Sequence, residues 1–539
     1  MAHADGAPAD GKAHGVSTPD LAEAGLSKGA KFTSPASKST RQTLPGAKSR
    51  TAAPQTLAAD GATATTAGNP TLAVALEAFG FSAHGIELDS SITSADTPLD
   101  VSVAWGDGTT SPATANGTEL VVSEHTYAEV GTYTVKVTVT DKANNTSVTN
   151  EVAVSTAGSD YTPYGPTRLL DTRSGTGAPK AKVAPYTSSR LKVGGNGGIP
   201  AGVTAVVLNV TVTNTSSGGH ITAFADGDER PTTSNVNFAP GQTVPNLVIV
   251  PVGENGYVDL YNGGWESVDL IADVTGYFTN TASSGYTPLT PARFVDTRSG
   301  LGTAKGQLAG YGSFSTQISG VGQVPASGVT AVALNVTVTN PRSDGHLTVY
   351  PSGQSAPTAS NVNFTAGQTI ANSVIVPVGP DGKISVRNGG WNPADVIVDV
   401  VGYYSPKSTS AYIPFAPDRA IDTRDDKAGP LDGRNYIWAD LAVGQPDIKG
   451  FVLNTTVTNT KDTGFLAVTP DPNSMEAYEG DTAVRPAEPS SSTLNWTVGK
   501  TVPNLVQAGT GANGIVDFWN MSFGDIDLIV DVFGMYQDN

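Results

Sequence analysis

The sequence predicts an all-β protein in which a β-sandwich precedes three homologous β-sandwich or jelly-roll modules, behind a disordered N-terminal leader. The 539 residues include 61 Gly and 36 Pro but only 15% charged residues, a mixture that favours short strands and tight turns over long helices. Short runs alternate apolar and polar residues between closely spaced turn signals. One pattern of about 125 residues occurs three times, which is long enough for a domain and too long for a solenoid unit.

The composition excludes several classes of function. Without cysteine the chain has no disulfide, no thiol catalysis and no cysteine-based zinc site. A net charge of −18 disfavours nucleic acid and anionic lipid, and no apolar run approaches the roughly 20 residues that span a bilayer. Low charge and abundant Gly suit an exported protein. We therefore expect a secreted, extracellular chain that binds no nucleic acid and does not insert into membranes.

Residues 1–68 are predicted to be a disordered leader. They are rich in Ala, Gly, Ser, Thr, Pro and Lys, and Phe32 is their one aromatic side chain. Such a segment buries too little apolar surface to offset the backbone entropy of ordering, about 1–2 kcal/mol per residue. Its lysines and arginines make it mildly basic, so it is interpreted either as a solvated tail or as a tether to an anionic cell surface.

Residues 69–157 are predicted to form the first β-sandwich, because three runs between residues 72 and 139 alternate apolar and polar residues. The turn at Trp105-Gly-Asp-Gly-Thr109 and the later His-Thr-Tyr and Gly-Thr-Tyr segments resemble the signature of the PKD domain, an immunoglobulin-like sandwich. The resemblance implies a spacer or binding module of an extracellular protein. We expect Trp105 to fill the core, and Tyr127 or Tyr133 to form a corner hydrogen bond.

The three modules are predicted at residues 160–279, 285–405 and 411–539. Each opens with an Arg-x-x-Asp-Thr-Arg tag and closes on an apolar strand that ends in Gly-Tyr or Gly-Met-Tyr. The tag resembles that of a tandem module in large secreted proteins of actinobacteria. This resemblance implies fold and location, but it implies no activity.

Each module offers a structural ion pair between its first and last strands. Alternation places the two aspartates of each last strand on one face, about 13 Å apart and too distant to share a metal. The second Arg of the tag suits a bidentate bond to the later aspartate, so we predict that it joins the two strands; a ligand-binding Arg is the alternative. The residues concerned are Asp171, Arg173 and Asp273; Asp296, Arg298 and Asp399; and Asp422, Arg424 and Asp531.

A hairpin tip in each module is the candidate for ligand binding. Asn-Gly-Gly-Trp occurs twice between the last two strands, and the third copy reads Asn-Met-Ser-Phe. An aromatic side chain beside such a tip either caps the core or stacks on a sugar face or a partner protein, and both interpretations stay open. The candidate ligand-binding residues are Asn262 and Trp265, Asn388 and Trp391, and Asn520 and Phe523.

Rows of Asn and Thr begin at Asn209, Asn335 and Asn454, each opposite an apolar strand face. The rows match the N-glycosylation sequon. Buried amides that bond neighbouring loops are the favoured interpretation over sugar acceptors.

No catalytic site, metal or cofactor is predicted. The sequence has no Gly-x-Ser-x-Gly, His-Glu-x-x-His or P-loop motif. His220 and His346 recur in the first two modules, but Phe465 replaces them in the third, so a role as general base is disfavoured. Acidic loops at 226–229 and at 425–426 suit calcium weakly, since they do not recur between modules.

The sequence thus predicts a secreted, non-catalytic protein that attaches to cell-surface or extracellular polysaccharide through several weak sites. Three such sites on one chain gain about 10²–10⁴ in avidity where the geometry lets them bind together. Two alternatives stay open. The repeats could pack on each other or on partner proteins as a structural assembly subunit, and the chain could accompany an extracellular hydrolase.

Overall fold

The computed structural model describes residues 13–16, 18, 21, 30–44, 68–95, 98–425 and 429–539. The chain divides into an N-terminal unit, residues 28–157, and a modular unit that combines residues 1–27 with residues 158–538. Strands dominate both units, and the fold is all-β as predicted. Within the described ranges, the longest α-helix is far too short to cross a membrane.

The N-terminal unit is a sandwich of two sheets. The first described strand of the chain, β1 (His14–Val16), belongs to the modular unit. The sandwich strands are β2 (Lys31–Ser34), β3 (Thr40–Thr43), β4 (Ala73–Gly80), β5 (Gly85–Thr93), β6 (Leu99–Ala104), β7 (Thr110–Ala115), β8 (Glu119–Thr126), β9 (Thr132–Asp141) and β10 (Thr146–Ser155). One sheet has the order β2-β4-β5-β8 and the other β3-β10-β9-β6-β7.

The core of this sandwich is organised around Trp105, which is fully buried as predicted. Both candidate tyrosines bond a backbone carbonyl: the hydroxyl of Tyr127 donates to Trp105 at 2.9 Å, and that of Tyr133 donates to Glu129 at 2.8 Å. Asp107 accepts the backbone N–H and the hydroxyl of Thr109, which closes the turn at the predicted place.

Two strands of this sandwich lie inside the segment predicted to be a disordered leader, so that prediction is corrected for residues 31–34 and 40–43. Strand β2 pairs with β4, and β3 pairs with β10. Arg41 donates to the carbonyls of Pro70 and Leu72, and the buried Ser34 bonds Asn150. These partners lie 28 or more residues away, so local composition cannot reveal them. Residues 1–12, 22–29 and 45–67 of the leader lie outside the described residues.

Each module of the modular unit is a sandwich of two sheets with four strands of its own in each sheet. Module 1 contains β11 (Asp160–Asp171), β12 (Ser188–Lys192), β13 (Val203–Thr213), β14 (Gly219–Ala225), β15 (Val236–Phe238), β16 (Val244–Pro251), β17 (Tyr257–Asn262) and β18 (Asp269–Thr279). Its sheets have the orders β11-β18-β13-β16 and β12-β17-β14-β15, called here the axial and the outer sheet.

Modules 2 and 3 repeat this topology strand for strand. Module 2 contains β19 (Gly285–Asp296), β20 (Ser313–Gln317), β21 (Ala331–Thr339), β22 (Gly345–Pro351), β23 (Val362–Phe364), β24 (Ile370–Pro377), β25 (Lys383–Asn388) and β26 (Asp395–Ser405). Module 3 contains β27 (Ala411–Asp422), β28 (Asn435–Asp440), β29 (Ile448–Thr458), β30 (Gly464–Pro470), the helix α1 (Met475–Glu479), β31 (Leu494–Trp496), β32 (Val502–Gly509), β33 (Ile515–Asn520) and β34 (Asp527–Gln537).

The outer sheet of module 3 carries a fifth strand from the leader. Strand β1 pairs in parallel with the edge strand β28, and Gly15 lies against the ring of Trp438, where a side chain would clash. The equivalent edge strands of modules 1 and 2 carry Arg190 and Ser315 at the position of Trp438. The prediction of a disordered leader is therefore also corrected for residues 14–16.

The three modules share a core in addition to their own. Modules 1 and 2 each enclose an apolar cluster between their two sheets. A further cluster draws on the other face of all three axial sheets and includes Tyr161, Tyr286 and Tyr412 at equivalent positions. Alternate residues of β13 divide between the two cores, with Leu208 facing its own module and Val207 facing the shared core.

Contacts between modules are cyclic, because one set of bonds from module 1 to 2 recurs from 2 to 3 and from 3 to 1. Backbone N–H groups of the three shared-core tyrosines bond Ser284, Ser410 and Ser159, each at 2.9 Å. The relation is a pseudo-threefold axis within one chain, since a heterologous contact that returns to its start closes a ring.

Six buried asparagines form the polar centre of this ring. Three of them bond the carbonyl of the next module's loop, which places the predicted Asn rows as buried amides. The other three each donate to an asparagine of the first set at 3.0–3.1 Å and accept a backbone N–H from that same neighbouring module at 3.0–3.3 Å. The first set is Asn209, Asn335 and Asn454, and the second set is Asn246, Asn372 and Asn504.

We predict that Asn372→Ala lowers the free energy of unfolding of the modular unit by about 2–3 kcal/mol. The substitution leaves the buried backbone N–H of Leu247 in module 1 and the buried carbonyl of Asn361 in module 2 without a partner. Chemical denaturation monitored by tryptophan fluorescence measures the change. The matched control is Ser216→Ala at an exposed position, which is expected to change stability by less than about 0.5 kcal/mol. Equal effects of the two substitutions would contradict a structural role for the asparagine ring.

Candidate functional site

The hairpin tips of all three modules carry aromatic side chains that are open to solvent. Trp265 is 75% exposed, Trp391 is 79% exposed and Phe523 is 72% exposed. Each follows the last residue of the strand before the turn by three positions. Capping of the core, one of the two interpretations of the sequence, is thus not what these rings do. Isolated exposed apolar residues are ordinary, but the recurrence of an aromatic ring at one position in three modules is not.

Each tip aromatic has a second group beside it, which we call its side partner. Tyr186 lies edge-on to Trp265 with ring centroids 5.8 Å apart, and Tyr311 lies edge-on to Trp391 at 5.3 Å. In module 3 the guanidinium of Arg434 lies 5.8 Å from the ring of Phe523. The side partners share a left-handed backbone with φ of 57°. The sequence reasoning missed them, although their recurrence at one repeat position is a signal that could have found them.

The tip asparagines do not face a ligand, and this corrects the prediction for Asn262, Asn388 and Asn520. All three are fully buried. In module 1 the side-chain amide of Asn262 donates to the carbonyls of Val183, Ala184 and Glu266, and its oxygen accepts the N–H of Gly264. Modules 2 and 3 repeat this arrangement. A satisfied buried amide holds the hairpin in shape, so its role is to position the aromatic ring.

The cyclic relation between modules fixes how the three tips are presented. Points related by rotation about one axis lie at the same height along that axis, so the three aromatic pairs lie at one level of the ring of modules. Each pair offers an apolar ring face beside a phenol or a guanidinium. Such a surface suits stacking on the apolar face of a sugar, with polar bonds at its edge.

The predicted ion pairs join different arginines from those expected, so the pairing of Arg173, Arg298 and Arg424 with Asp273, Asp399 and Asp531 is wrong. The first Arg of each tag makes that bond: Arg168 to Asp273, Arg293 to Asp399 and Arg419 to Asp531, each at 2.9 Å. The second Arg bonds the aspartate of its own tag, as in Arg173 to Asp171 at 2.7 Å.

The strand register and a turn explain the error. Arg168 lies directly opposite Asp273 in the ladder, and by Asp171 the strand already faces Ile271. Asp171 ends the strand and accepts the backbone N–H of Arg173 at 3.1 Å, so the tag turns where alternation assumed an extended chain. The guanidinium of Arg173 holds the pKa of Asp171 below its usual range. In modules 2 and 3, Arg298 and Arg424 lower the pKa values of Asp296 and Asp422 in the same way.

The acidic loop at 226–229 leads to a carboxyl pair, not to a metal site. Asp226 bonds Arg190 and Asn255, and its neighbour Asp259 has a pKa raised to about 6 by burial and by the charge of Asp226. Among the described residues no group of three or more His, Asp or Glu side chains could hold a metal ion. Asp425 is described, and Asp426 lies outside the described residues.

Module 3 repeats this pair in a more buried form. Asp471 accepts hydrogen bonds from Asn473 and Tyr478, whereas Asp517 is fully buried and neither of its oxygens accepts a bond within the described chain. Burial, together with the neighbouring Asp471, raises the pKa of Asp517 to about 9. A carboxyl with such a pKa is neutral at pH 7.

Comparisons with known proteins identify the N-terminal sandwich. The PKD domain family model matches residues 55–156, which confirms the resemblance of this segment. No curated protein matches the chain. The tag of the three modules thus stays a resemblance, without a family to confirm it.

Three solved structures illustrate the level of structural similarity. A structure of Sulfolobus turreted icosahedral virus is 8% identical over 66% of this chain and 85% of its own, with a TM-score of 0.16. The triple jelly roll of an archaeal virus is 9% identical over 71% and 90%, with a TM-score of 0.17. The tandem CBM22 domains of Paenibacillus barcinonensis Xyn10C are 12% identical over 45% and 98%, with a TM-score of 0.15. Similarity at this level carries no inference about function.

The corrected ion pairs predict unequal effects of two substitutions in one tag. Arg168→Met leaves the buried Asp273 without a partner and should cost about 3–5 kcal/mol of unfolding free energy. Arg173→Met removes a side chain that is 43% exposed and should cost at most about 1 kcal/mol. Urea denaturation of each variant measures the difference. A larger loss of unfolding free energy for Arg173→Met than for Arg168→Met would contradict the pairing of Arg168 with Asp273.

The buried acid predicts a pH-dependent gain from Asp517→Asn. With a pKa of about 9 in the folded state, the Asp517 carboxyl keeps a proton that the unfolded chain loses near pH 4. The stabilisation from this carboxyl is therefore fully present below pH 4 and is lost progressively as the pH rises to 9. The variant should become more stable relative to the wild type across that range, by at most about 1.4 kcal/mol per pH unit. Unfolding free energies from pH 4 to 9 measure it.

Asp259→Asn is the matched control, because the pKa of Asp259 is raised only to about 6. The gain in unfolding free energy of Asp259→Asn over the wild type should level off above pH 6, while the gain of Asp517→Asn should continue to rise up to pH 9. A stability difference between wild type and Asp517→Asn that stays constant with pH would contradict a protonated Asp517.

Proposed function

We propose that this chain is a secreted, non-catalytic attachment protein that binds cell-surface or extracellular polysaccharide through its three aromatic tips. The observation that carries the proposal is the exposure of Trp265, Trp391 and Phe523, each at least 72% open to solvent on a hairpin held by a buried amide. An indole or phenyl ring fixed in this way loses little conformational entropy on stacking against a sugar ring.

The ring of modules supports multivalent binding. Three sites that are held at one level of a closed ring can engage one polymer without the reordering that three flexibly linked modules would need. Once the first site is bound, the second and third bind at a high effective concentration, which gains about 10²–10⁴ in avidity. The PKD domain suits a spacer or binding module in such a protein.

A structural assembly role is the second candidate. The observation in its favour is that the repeats pack on each other through a shared apolar core and a cyclic set of buried amides. These surfaces are already buried within one chain. The exposed aromatic tips are the surfaces left for a partner protein in this interpretation.

Replacement of the tips tests the proposal. We expect Trp265→Ala, Trp391→Ala and Phe523→Ala each to lower retention on insoluble cell-wall polysaccharide severalfold, and the triple variant to abolish it, because avidity falls with each lost site. Pull-down of the full chain measures retention. Phe81→Ala, an exposed aromatic of the PKD domain, is the matched control and should leave retention unchanged.

The stability of each variant is checked by thermal denaturation, and exposed side chains should leave it within about 0.5 kcal/mol of the wild type. A folded triple variant that is retained as well as the wild type would rule out glycan binding at the tips. Formation of a defined oligomer that the triple variant loses, with no retention on polysaccharide by the wild type, would favour the assembly role.

A further inference from the structure

A cavity of about 390 Å³ lies where the three modules meet, apart from the aromatic tips. Equivalent residues of all three modules line it, including Asn237, Asn363 and Asn495. A cavity lined by all three members of a cyclic set surrounds the pseudo-threefold axis. Its volume is within the range of small-molecule pockets, roughly 300–1,000 Å³.

The three asparagines present amide donors to this cavity. Their side-chain oxygens accept bonds from the hydroxyls of Ser234, Ser360 and Ser492, at 3.1, 3.0 and 3.3 Å. Their NH₂ groups donate no hydrogen bond within the described part of the chain. The oxygen of each amide is thus engaged by its own module, and the donor is left for a ligand.

A second layer of the lining repeats this arrangement. The side-chain oxygen of Gln242 accepts the backbone N–H of Ala239 at 2.8 Å, and that of Gln368 accepts the N–H of Thr365 at 2.9 Å. A backbone N–H requires the oxygen, so the NH₂ end of each glutamine is fixed as the free end. Module 3 has Lys500 at this position, and among the described residues its ammonium makes no ion pair.

The lining is therefore rich in donors. Three asparagines, two glutamines and one lysine offer only N–H groups, and Asp344 is the one acidic residue that lines the cavity. One oxygen of Asp344 already accepts the N–H of Ala366 at 2.9 Å. Converging donors with one ammonium complement a group made of acceptor oxygens and carrying negative charge.

We propose that this axial cavity binds an oxyanionic group, a carboxylate or a phosphate ester; that a carbohydrate carries this group rests on the proposed function. All three modules contribute, so the site exists only in the closed ring. Binding here does not require the aromatic tips. The tips recognise apolar faces of a polymer, whereas the cavity recognises one charged substituent.

Titration calorimetry on the full chain tests the proposal, with glucuronate, glucose 6-phosphate and glucose as probes. At least one of the two anions should bind saturably and at least tenfold more tightly than glucose. The anion that binds distinguishes a carboxylate site from a phosphate site. Glucose binding as tightly as both anions, or no saturable binding of either anion, would overturn the proposal.

Two variants place the binding in the cavity. Asn495→Asp replaces a donor by an acceptor of the same shape and should lower anion affinity at least tenfold, and Lys500→Gln restores the residue of the other two modules and should lower it severalfold. Asn116→Asp, which adds the same charge at an exposed position of the PKD domain, is the control and should change nothing. Anion binding that survives Asn495→Asp in a folded protein would overturn the assignment, whereas loss of tip-dependent retention leaves it intact.

Discussion

The closed ring of side-chain amides on the pseudo-threefold axis is the interaction on which the modular unit depends. A buried amide without a partner costs about 1–3 kcal/mol, and each asparagine of the second set binds one carbonyl of its own module and two groups that only the correct neighbour supplies. Apolar contacts in the shared core supply most of the driving force, but they are not directional. The amides therefore set which strand faces which, and a rotated arrangement of the modules would break the bonds that all six asparagines make between modules.

This constraint decides what the exposed residues can do. Three modules joined by flexible linkers would bind the polymer independently of one another. In the ring, the connections between modules are only residues 280–284 and 406–410, and their backbone takes part in bonds between modules. The tips and the axial cavity consequently keep a fixed mutual geometry. Sites in a fixed geometry gain avidity only where the spacing of the ligand's binding groups matches their own. The ring therefore accommodates fewer ligand spacings than flexibly linked modules would, and it distinguishes between them more strongly.

The sequence predicted what is local or periodic. Alternation and turn signals identified the sandwiches, and the threefold recurrence identified the modules. The predictions were wrong where a residue or strand distant in the sequence determines the local structure. Strand β2 is a strand because β4 lies beside it, and the leader composition carries no sign of that. The register of the ladder places Arg168, not Arg173, opposite Asp273, and alternation within one strand does not reveal its register with another. The Asn-Gly pair marks a turn and so predicts a surface group at Asn262, yet a buried amide can also build the turn from within.

The places where the copies differ show why three modules in one chain are not equivalent to a homotrimer. Near the axis the hydroxyls of Tyr404 and Tyr536 bond each other at 2.7 Å, and the amide of Gln507 donates to both. Module 1 has Phe278 in place of a third tyrosine, and modules 1 and 2 have Ile249 and Ile375 in place of the glutamine. A strict threefold arrangement would bring together three hydroxyls and three amides in one buried space, which leaves donors and acceptors without partners. A single chain can place one amide between two hydroxyls, as Gln507 does between Tyr404 and Tyr536. The same freedom places one ammonium, Lys500, among the neutral donors of the axial cavity.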